Sequence, residues 1–156
     1  MKWILKIWML FLPATICNAQ TVTLMEVRNF YQQAAVNHEA CSNLISRLSN
    51  KTDLPESVHL GYKGSATMMK ARYGLNPFTK LSNFINGKKM LEKAISMDTN
   101  NAELRYLRFT IQTNAPSFLG YRSNLNTDKK FLVASLHKIE DATLKSIIEN
   151  YISTNH

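Results

Sequence analysis

The chain has 156 residues, of which 19 are basic, 11 are acidic and 45% are hydrophobic. A chain of this size forms one domain and buries roughly two-thirds of the surface that its unfolded form exposes. Its stability therefore requires neither a metal ion nor a disulfide, and composition excludes a small metal-stapled or disulfide-stapled scaffold.

Residues 1–19 have the composition of a secretory signal peptide. Lys2 and Lys6 precede an apolar run, Ile7–Leu12, and small residues lie just before Gln20. The run is shorter than the roughly 20 apolar residues that a transmembrane helix needs. We therefore predict cleavage after Ala19 and export to the periplasm or the extracellular space. Acylation of Cys17 is a weaker alternative. Such sites require a small residue before the cysteine, and here that residue is the bulky Ile16.

The remaining residues, 20–156, are predicted to form a single all-α domain with no transmembrane segment. They keep 17 basic and 11 acidic side chains, which gives a formal charge of +6, and they contain no tryptophan. Cys41 is the one cysteine left, so no internal disulfide can form. We expect Cys41 to be a small buried residue. A reactive or intermolecular thiol is the alternative.

Apolar residues recur at helical spacing in several segments of this domain, and residues that can cap a helix lie between the segments. The pattern predicts about six to seven helices arranged as a stack of antiparallel helical hairpins. After a first helix from Thr21, helix starts are predicted at a series of polar capping residues: Asn37, Asp53, Asn76, Asn100, Asp128 and Asp141.

The third and fourth helices have distinctive features. Small residues in the third, Gly61–Ala66, would let another helix approach closely. The fourth is predicted over Pro77–Met97, with Gly87 leaving open whether it is continuous. Its inward face is predicted to carry Phe78, Leu81, Phe84, Ile85, Leu91 and Ile95. After the fifth helix, the irregular stretch 116–126 is expected to pack on the helices through Phe118, Leu119 and Tyr121.

The sharpest local signal is the helix-helix corner within Lys88–Phe109. Asn100 is predicted to cap the helix that follows the corner, with Glu103 reaching back to the N–H of the capping residue. Apolar residues before and after the corner fall at helical spacing. The corner therefore predicts an antiparallel pair of helices.

The run Ala94–Glu103 resembles the junction between two tetratricopeptide repeats. The resemblance covers about half a repeat, departs from it at Thr99, where proline is usual, and lacks the 34-residue period upstream. It implies a tetratricopeptide-like helical pair and an interaction role. More broadly, the chain is similar to small exported proteins of Bacteroidota, a resemblance that implies no activity. The residues that carry it lie in Gly61–Gly64, Asn76–Phe78, Gly87–Lys89, Leu104–Phe109 and Ala115–Tyr121.

The sequence contains no recognisable catalytic or metal-ligating arrangement. Its four histidines are scattered and include no His-x-x-x-His pair, and a Gly-x-Ser-x-Gly nucleophile elbow is absent. Several carboxylates are predicted to cap helices instead of serving acid-base chemistry. We therefore expect no enzyme activity, no metal and no cofactor.

The candidate ligand-binding residues lie on the fifth helix. Arg105, Arg108 and Gln112 follow helical spacing, and two guanidinium groups on one stripe suit a carboxylate or phosphate. Lys63 is a further candidate. The alternative is a solvated face or internal ion pairs. Other cations of the third and fourth helices are expected to be solvated: Lys70, Arg72, Lys88, Lys89 and Lys93.

Two functions of different class follow from these observations. In the first, the protein is an exported interaction or scaffold module of the cell envelope that holds a protein or peptide partner. In the second, it binds a small or polymeric anionic envelope ligand through the basic helix face. We expect no nucleic-acid partner for an exported chain.

Overall fold

A computed structural model describes residues 21–50 and 52–155. The predicted all-α class is confirmed, because the described residues form seven α-helices and no extended strand. The one strand-like feature among them is an isolated bridge between Val22 and Thr52. The helices are α1 (Leu24–Ala34), α2 (His38–Arg47), α3 (Glu56–Tyr73), α4 (Pro77–Met97), α5 (Ala102–Asn114), α6 (Leu125–Ser135) and α7 (Ala142–Thr154). Residues 1–19, predicted as a signal peptide, lie outside the described residues.

Side-chain caps begin most of these helices. Thr23 and Glu26 form a complete capping box on α1. The predicted caps Asn37, Asn76 and Asp141 are confirmed, since each accepts hydrogen bonds from the first turn of its helix.

Three predicted caps are wrong, because α3, α5 and α6 begin at other residues than the sequence predicted. Asn101, not Asn100, caps α5 through the N–H groups of residues 103 and 104. Pro55 stands at the cap position of α3, so Asp53 makes no cap there. Because α6 begins at residue 125, Asp128 lies inside its first turn and is fully buried.

Glycine contacts hold α3 and α4 together in an antiparallel hairpin. A Cβ atom added to Gly64 would lie 2.7 Å from the carbonyl oxygen of Gly87, and one added to Gly87 would meet the backbone of Gly64. The two helix backbones therefore touch, as the small residues of α3 predicted. The fourth helix is continuous through Gly87.

The core lies where α3 and the second half of α4 meet α5 and the flanking helices. Its large, fully buried side chains are Leu44, Leu48, Tyr62, Leu91, Leu104, Leu107, Leu132 and Ile148. Cys41 is also buried, and its Sγ atom lies 3.7 Å from the carbonyl oxygen of Ala66. Burial raises the pKa of the Cys41 thiol, which disfavours the reactive thiolate.

Two predicted packing surfaces are wrong. Phe78, Leu81 and Ile85 on α4 were expected to face inward, but they are 83%, 49% and 41% exposed, because no described helix covers this face of the first half of α4. In the irregular stretch after α5, a short 3-10 helix forms at Ser117–Leu119, and Tyr121 is buried as expected. Phe118 points outward, at 84% exposed.

Candidate functional site

Arg108, the centre of the predicted ligand-binding stripe, is buried in an ion-pair network. Its Nε and Nη2 atoms donate to the two carboxylate oxygens of Asp128 at 2.6 and 2.7 Å, and its Nη1 donates to Glu92 at 2.8 Å. Tyr121 donates its hydroxyl to the other oxygen of Glu92. Arg108 therefore connects α5 to α4 and α6, and each of its three side-chain nitrogens already has a carboxylate partner.

Arg105 joins the same network from the edge. Its Nη1 lies 3.1 Å from Asp128 Oδ1, and its Nε and Nη2 donate to the carbonyl oxygen of Thr99 at 3.2 and 3.0 Å. The guanidinium carbon also lies 5.2 Å from the ring centroid of Phe131, within cation–π range. The side chain is 20% exposed.

The other two candidates do not complete a binding site with these arginines. Gln112 is fully buried; its Nε2 lies 3.5 Å from Asn124 Oδ1, and its Oε1 has no hydrogen-bond partner among the described residues. Lys63 is half-buried on α3. Within residues 21–50 and 52–155, no ion pair or hydrogen bond joins Lys63 to the arginines.

The arginine stripe is thus occupied from within the protein. An incoming carboxylate or phosphate would have to displace Asp128 or Glu92 from Arg108, and breaking a buried pair leaves a charge unpaired at a cost of about 3 to 5 kcal/mol. A ligand-binding role for these residues stays a prediction. Their geometry is that of the internal ion pairs that the sequence allowed as the alternative.

A second buried network has the same chemical composition. Arg28 of α1 donates to both oxygens of Glu103, at 2.8 and 3.0 Å, and its Nη1 donates to Asp141 at 2.6 Å. Tyr62 of α3 donates to Glu103 at 2.6 Å. Glu103 therefore faces the interior, and its predicted capping role is wrong. This network connects α1, α3 and α5 to the start of α7.

The pKa shifts follow from burial and pairing. Burial opposes the charge on Arg28 and on Arg108, but hydrogen bonds to their carboxylate partners outweigh it and raise the pKa of each guanidinium. Burial, reinforced by the nearby carboxylate Glu103, raises the pKa of Tyr62 well above its usual range. For Asp141, the hydrogen bond from Arg28 lowers the pKa of the carboxyl, with help from the backbone N–H groups it caps.

The described residues offer little for a cofactor or a small ligand. They contain no group of three or more His, Cys, Asp or Glu side chains placed to hold a metal ion. The gap beside Arg28 and Tyr62 has no room for water, and an open cleft of about 340 Å³ lies between residues 21–24 and 53–55. Among the described helices, none is both long enough and apolar enough to span a bilayer.

The strongest electrostatic feature is the α3–α4 hairpin. Residues 57–91 contain six basic side chains and no acidic one. The rest of residues 20–156 contains eleven basic and eleven acidic side chains, so the whole formal charge of +6 lies within residues 57–91 of this hairpin. Within the described part of the chain, none of the six forms an ion pair. They are Lys63, Lys70, Arg72, Lys80, Lys88 and Lys89.

Large apolar side chains are exposed on the same hairpin. Leu75 is 99% exposed and Phe78 is 83% exposed, and every residue from 75 to 82 is exposed. Phe78, Leu81 and Ile85 lie at i, i+3 and i+7, so they share one face of α4. We give the name hairpin surface to the exposed apolar and basic residues between positions 70 and 89: Lys70, Arg72, Leu75, Phe78, Lys80, Leu81, Ile85 and Lys89.

One more exposed apolar side chain lies close to the turn between α3 and α4. Arg72 donates to the carbonyl oxygen of Ala35 at 2.5 Å, and Tyr73 donates to that of Ala34 at 3.1 Å, which places the α1–α2 turn beside the end of α3. Val36, in that turn, is 84% exposed. The apolar part of this end therefore extends past the hairpin itself.

The sequence pattern pointed to Lys70, Arg72 and Lys89 of this surface, which were assigned to ordinary solvation, and it did not single out Lys80. The signal that sets them apart was present in the sequence as the absence of any Asp or Glu between Glu56 and Glu92. The exposed apolar face carried no such signal, because helical spacing is the same whether or not another helix covers the face.

Comparisons with protein-family models, curated proteins and solved structures found no match to this chain. The tetratricopeptide-like resemblance therefore stays a prediction.

Proposed function

We propose that this protein is a non-catalytic binding module of the cell envelope and that the hairpin surface binds an anionic partner. The observation that carries the proposal is the concentration of the entire +6 charge of residues 20–156 on residues 57–91. The predicted export signal supports the location. This proposal keeps the second function expected from the sequence, the binding of an anionic envelope ligand, but moves the binding surface from Arg105 and Arg108 to the hairpin.

Charge and exposure together support an anionic partner. Six cations without an internal carboxylate create a positive potential along the hairpin, which attracts anionic groups and repels cationic ones. The described ion pairs involve Arg28, Arg47, Arg105 and Arg108, all outside the hairpin. The hairpin cations are therefore available to a partner at the smallest cost, because no internal pair must be broken first.

A pair of charge-matched variants tests the proposal. One replaces three exposed cations of the hairpin surface: Lys70→Gln, Lys80→Gln and Lys89→Gln. The control replaces three lysines outside the α3–α4 hairpin: Lys130→Gln, Lys138→Gln and Lys145→Gln. Both lower the net charge by the same amount, so any difference between them reports on position alone.

Immobilised heparin serves as the anionic probe. We expect the hairpin variant to elute at clearly lower salt than the control variant, because binding through several cations weakens steeply as ionic strength rises. Circular dichroism checks that both variants remain helical. Elution of the two variants at the same salt concentration would contradict the proposal, since only overall charge would then matter.

A further inference from the structure

We infer that the anionic partner is the surface of a phospholipid bilayer and that Leu75 and Phe78 enter its headgroup region. This inference rests on the proposed function and names the partner of the same surface. Charge alone would suit any polyanion. The exposed apolar side chains among the cations distinguish a lipid surface from a soluble polymer, which offers nothing apolar to bury.

The geometry of α4 suits a helix lying in the plane of a membrane interface. Phe78, Leu81 and Ile85 share one face over two helical turns, a length of roughly 10 Å. Lys89 continues that face one turn further, and Leu75 precedes the helix at its start. An interfacial helix places apolar side chains about 5 to 10 Å deep while its lysines reach the phosphates.

A second copy of this chain fits the surface poorly. Two hairpin surfaces facing each other would bring four positive charges against four, and the part of residues 20–156 outside residues 57–91 has no net negative charge to offer. Leu75 and Phe78 are 99% and 83% exposed, so the apolar part of the surface projects into solvent. Insertion into lipid requires apolar side chains that protrude in this way.

Vesicle binding tests the inference with the chain that begins at Gln20, since the apolar leader would itself bind lipid. Residues 21–50 and 52–155 contain a contiguous core of buried apolar side chains of their own. The probes are vesicles of phosphatidylcholine alone and of phosphatidylcholine mixed equally with phosphatidylglycerol. We expect binding to the anionic vesicles only. Each lysine near such a surface contributes roughly fivefold to the affinity, so the hairpin triple variant should bind about a hundredfold more weakly than the control triple.

Leu75→Ser with Phe78→Ser tests the apolar part separately. Both side chains are almost fully exposed, so their loss should leave the fold intact while reducing vesicle binding at least tenfold. The matched control, Phe118→Ser with Val133→Ser, removes two exposed apolar side chains outside the hairpin and should bind as the parent does. Equal binding by the two variants would overturn insertion.

Phe78→Trp provides a direct reading of depth, because residues 20–156 contain no other tryptophan. Its emission should shift to the blue on anionic vesicles, whereas that of Phe118→Trp should not. Retention on heparin distinguishes the lipid inference from the proposed function. Hairpin-dependent retention on heparin without anionic-vesicle binding would overturn the lipid inference and leave the proposed function standing. Loss of hairpin dependence in both assays would overturn both.

Discussion

Arg28 and Glu103 lie 75 positions apart in the chain and form a buried pair through two parallel hydrogen bonds of 2.8 and 3.0 Å. Each side chain is 6% exposed. Such a two-point contact between a planar guanidinium and a carboxylate fixes the angle as well as the distance between the groups. The pair therefore sets how α1 lies against α5, which neither helix could determine alone.

We expect Glu103→Ala to lower the free energy of unfolding by about 3 to 5 kcal/mol. Its loss leaves the buried Arg28 with only the half-exposed Asp141 as a carboxylate partner, and Tyr62 without its acceptor. Urea denaturation measures the change. Glu149→Ala, at an exposed position of α7, is the control and should change stability by less than about 0.5 kcal/mol. A loss below about 1 kcal/mol for Glu103→Ala would show that the pair is not structurally important.

The two arginines of the predicted stripe should separate in the same assay. We expect Arg108→Ala to cost about 3 to 5 kcal/mol, because it leaves Asp128 buried with only the edge contact of Arg105. Arg105→Ala should cost about 1 to 2 kcal/mol, since this side chain is partly exposed and Asp128 keeps its stronger partner. Equal and small losses for both would return these residues to the list of free ligand-binding groups.

The sequence could not distinguish a ligand-binding stripe from an internal network. Helical spacing correctly aligned Arg105 and Arg108, but the partners of Arg108 lie 16 and 20 positions away on other helices. Glu92 had no assigned role, and Asp128 fitted an apparent cap. Which carboxylate reaches which arginine depends on how the helices pack, and this information is not present in any local pattern.

Helix positions were far more predictable than helix surroundings. Caps and apolar spacing are local, so α2, α4 and α7 begin at predicted caps. The cap of α5 was placed one residue early, because two adjacent asparagines are equally good capping residues. The inward assignment of Phe78 failed for a different reason. The apolar face of α4 is real, but its first half extends past the helices that would cover it.

Asp141→Asn should reveal a specific acid dependence. Asn keeps the cap of α7 but loses the charge that pairs with Arg28. The folded pKa of Asp141 lies below its ordinary value, so its ionised form stabilises the fold above about pH 4, and this contribution is lost as pH falls through the folded pKa. The parent should therefore be more stable than Asp141→Asn at neutral pH, by up to about 1 kcal/mol for this half-exposed pair.

Denaturation at several pH values checks this sign. The difference in unfolding free energy between the parent and Asp141→Asn should be constant from pH 7 to about 5 and should shrink as the pH falls below about 4. Glu149→Gln, which removes an exposed carboxylate of α7, should show no such difference. A gap that widened on acidification would mean that Asp141 is destabilised by its surroundings, contrary to its contact with Arg28.

Gly64→Ala tests the backbone contact that aligns the whole hairpin surface. The new Cβ would lie 2.7 Å from the carbonyl oxygen of Gly87 and from the backbone nitrogen of Leu91, and neither can move without shifting α4. Alanine in a helix is by itself favourable by about 1 kcal/mol, so a net loss would come from the overlap. We expect that net loss to be about 2 kcal/mol or more.

Gly74→Ala is the control. Its Cβ would meet only the flexible side chain of Lys80, at 3.3 Å, and its φ of −68° suits alanine, so stability should stay equal or rise by up to about 1 kcal/mol. Thermal unfolding of both variants measures the contrast, and similar melting temperatures would contradict a close contact between α3 and α4.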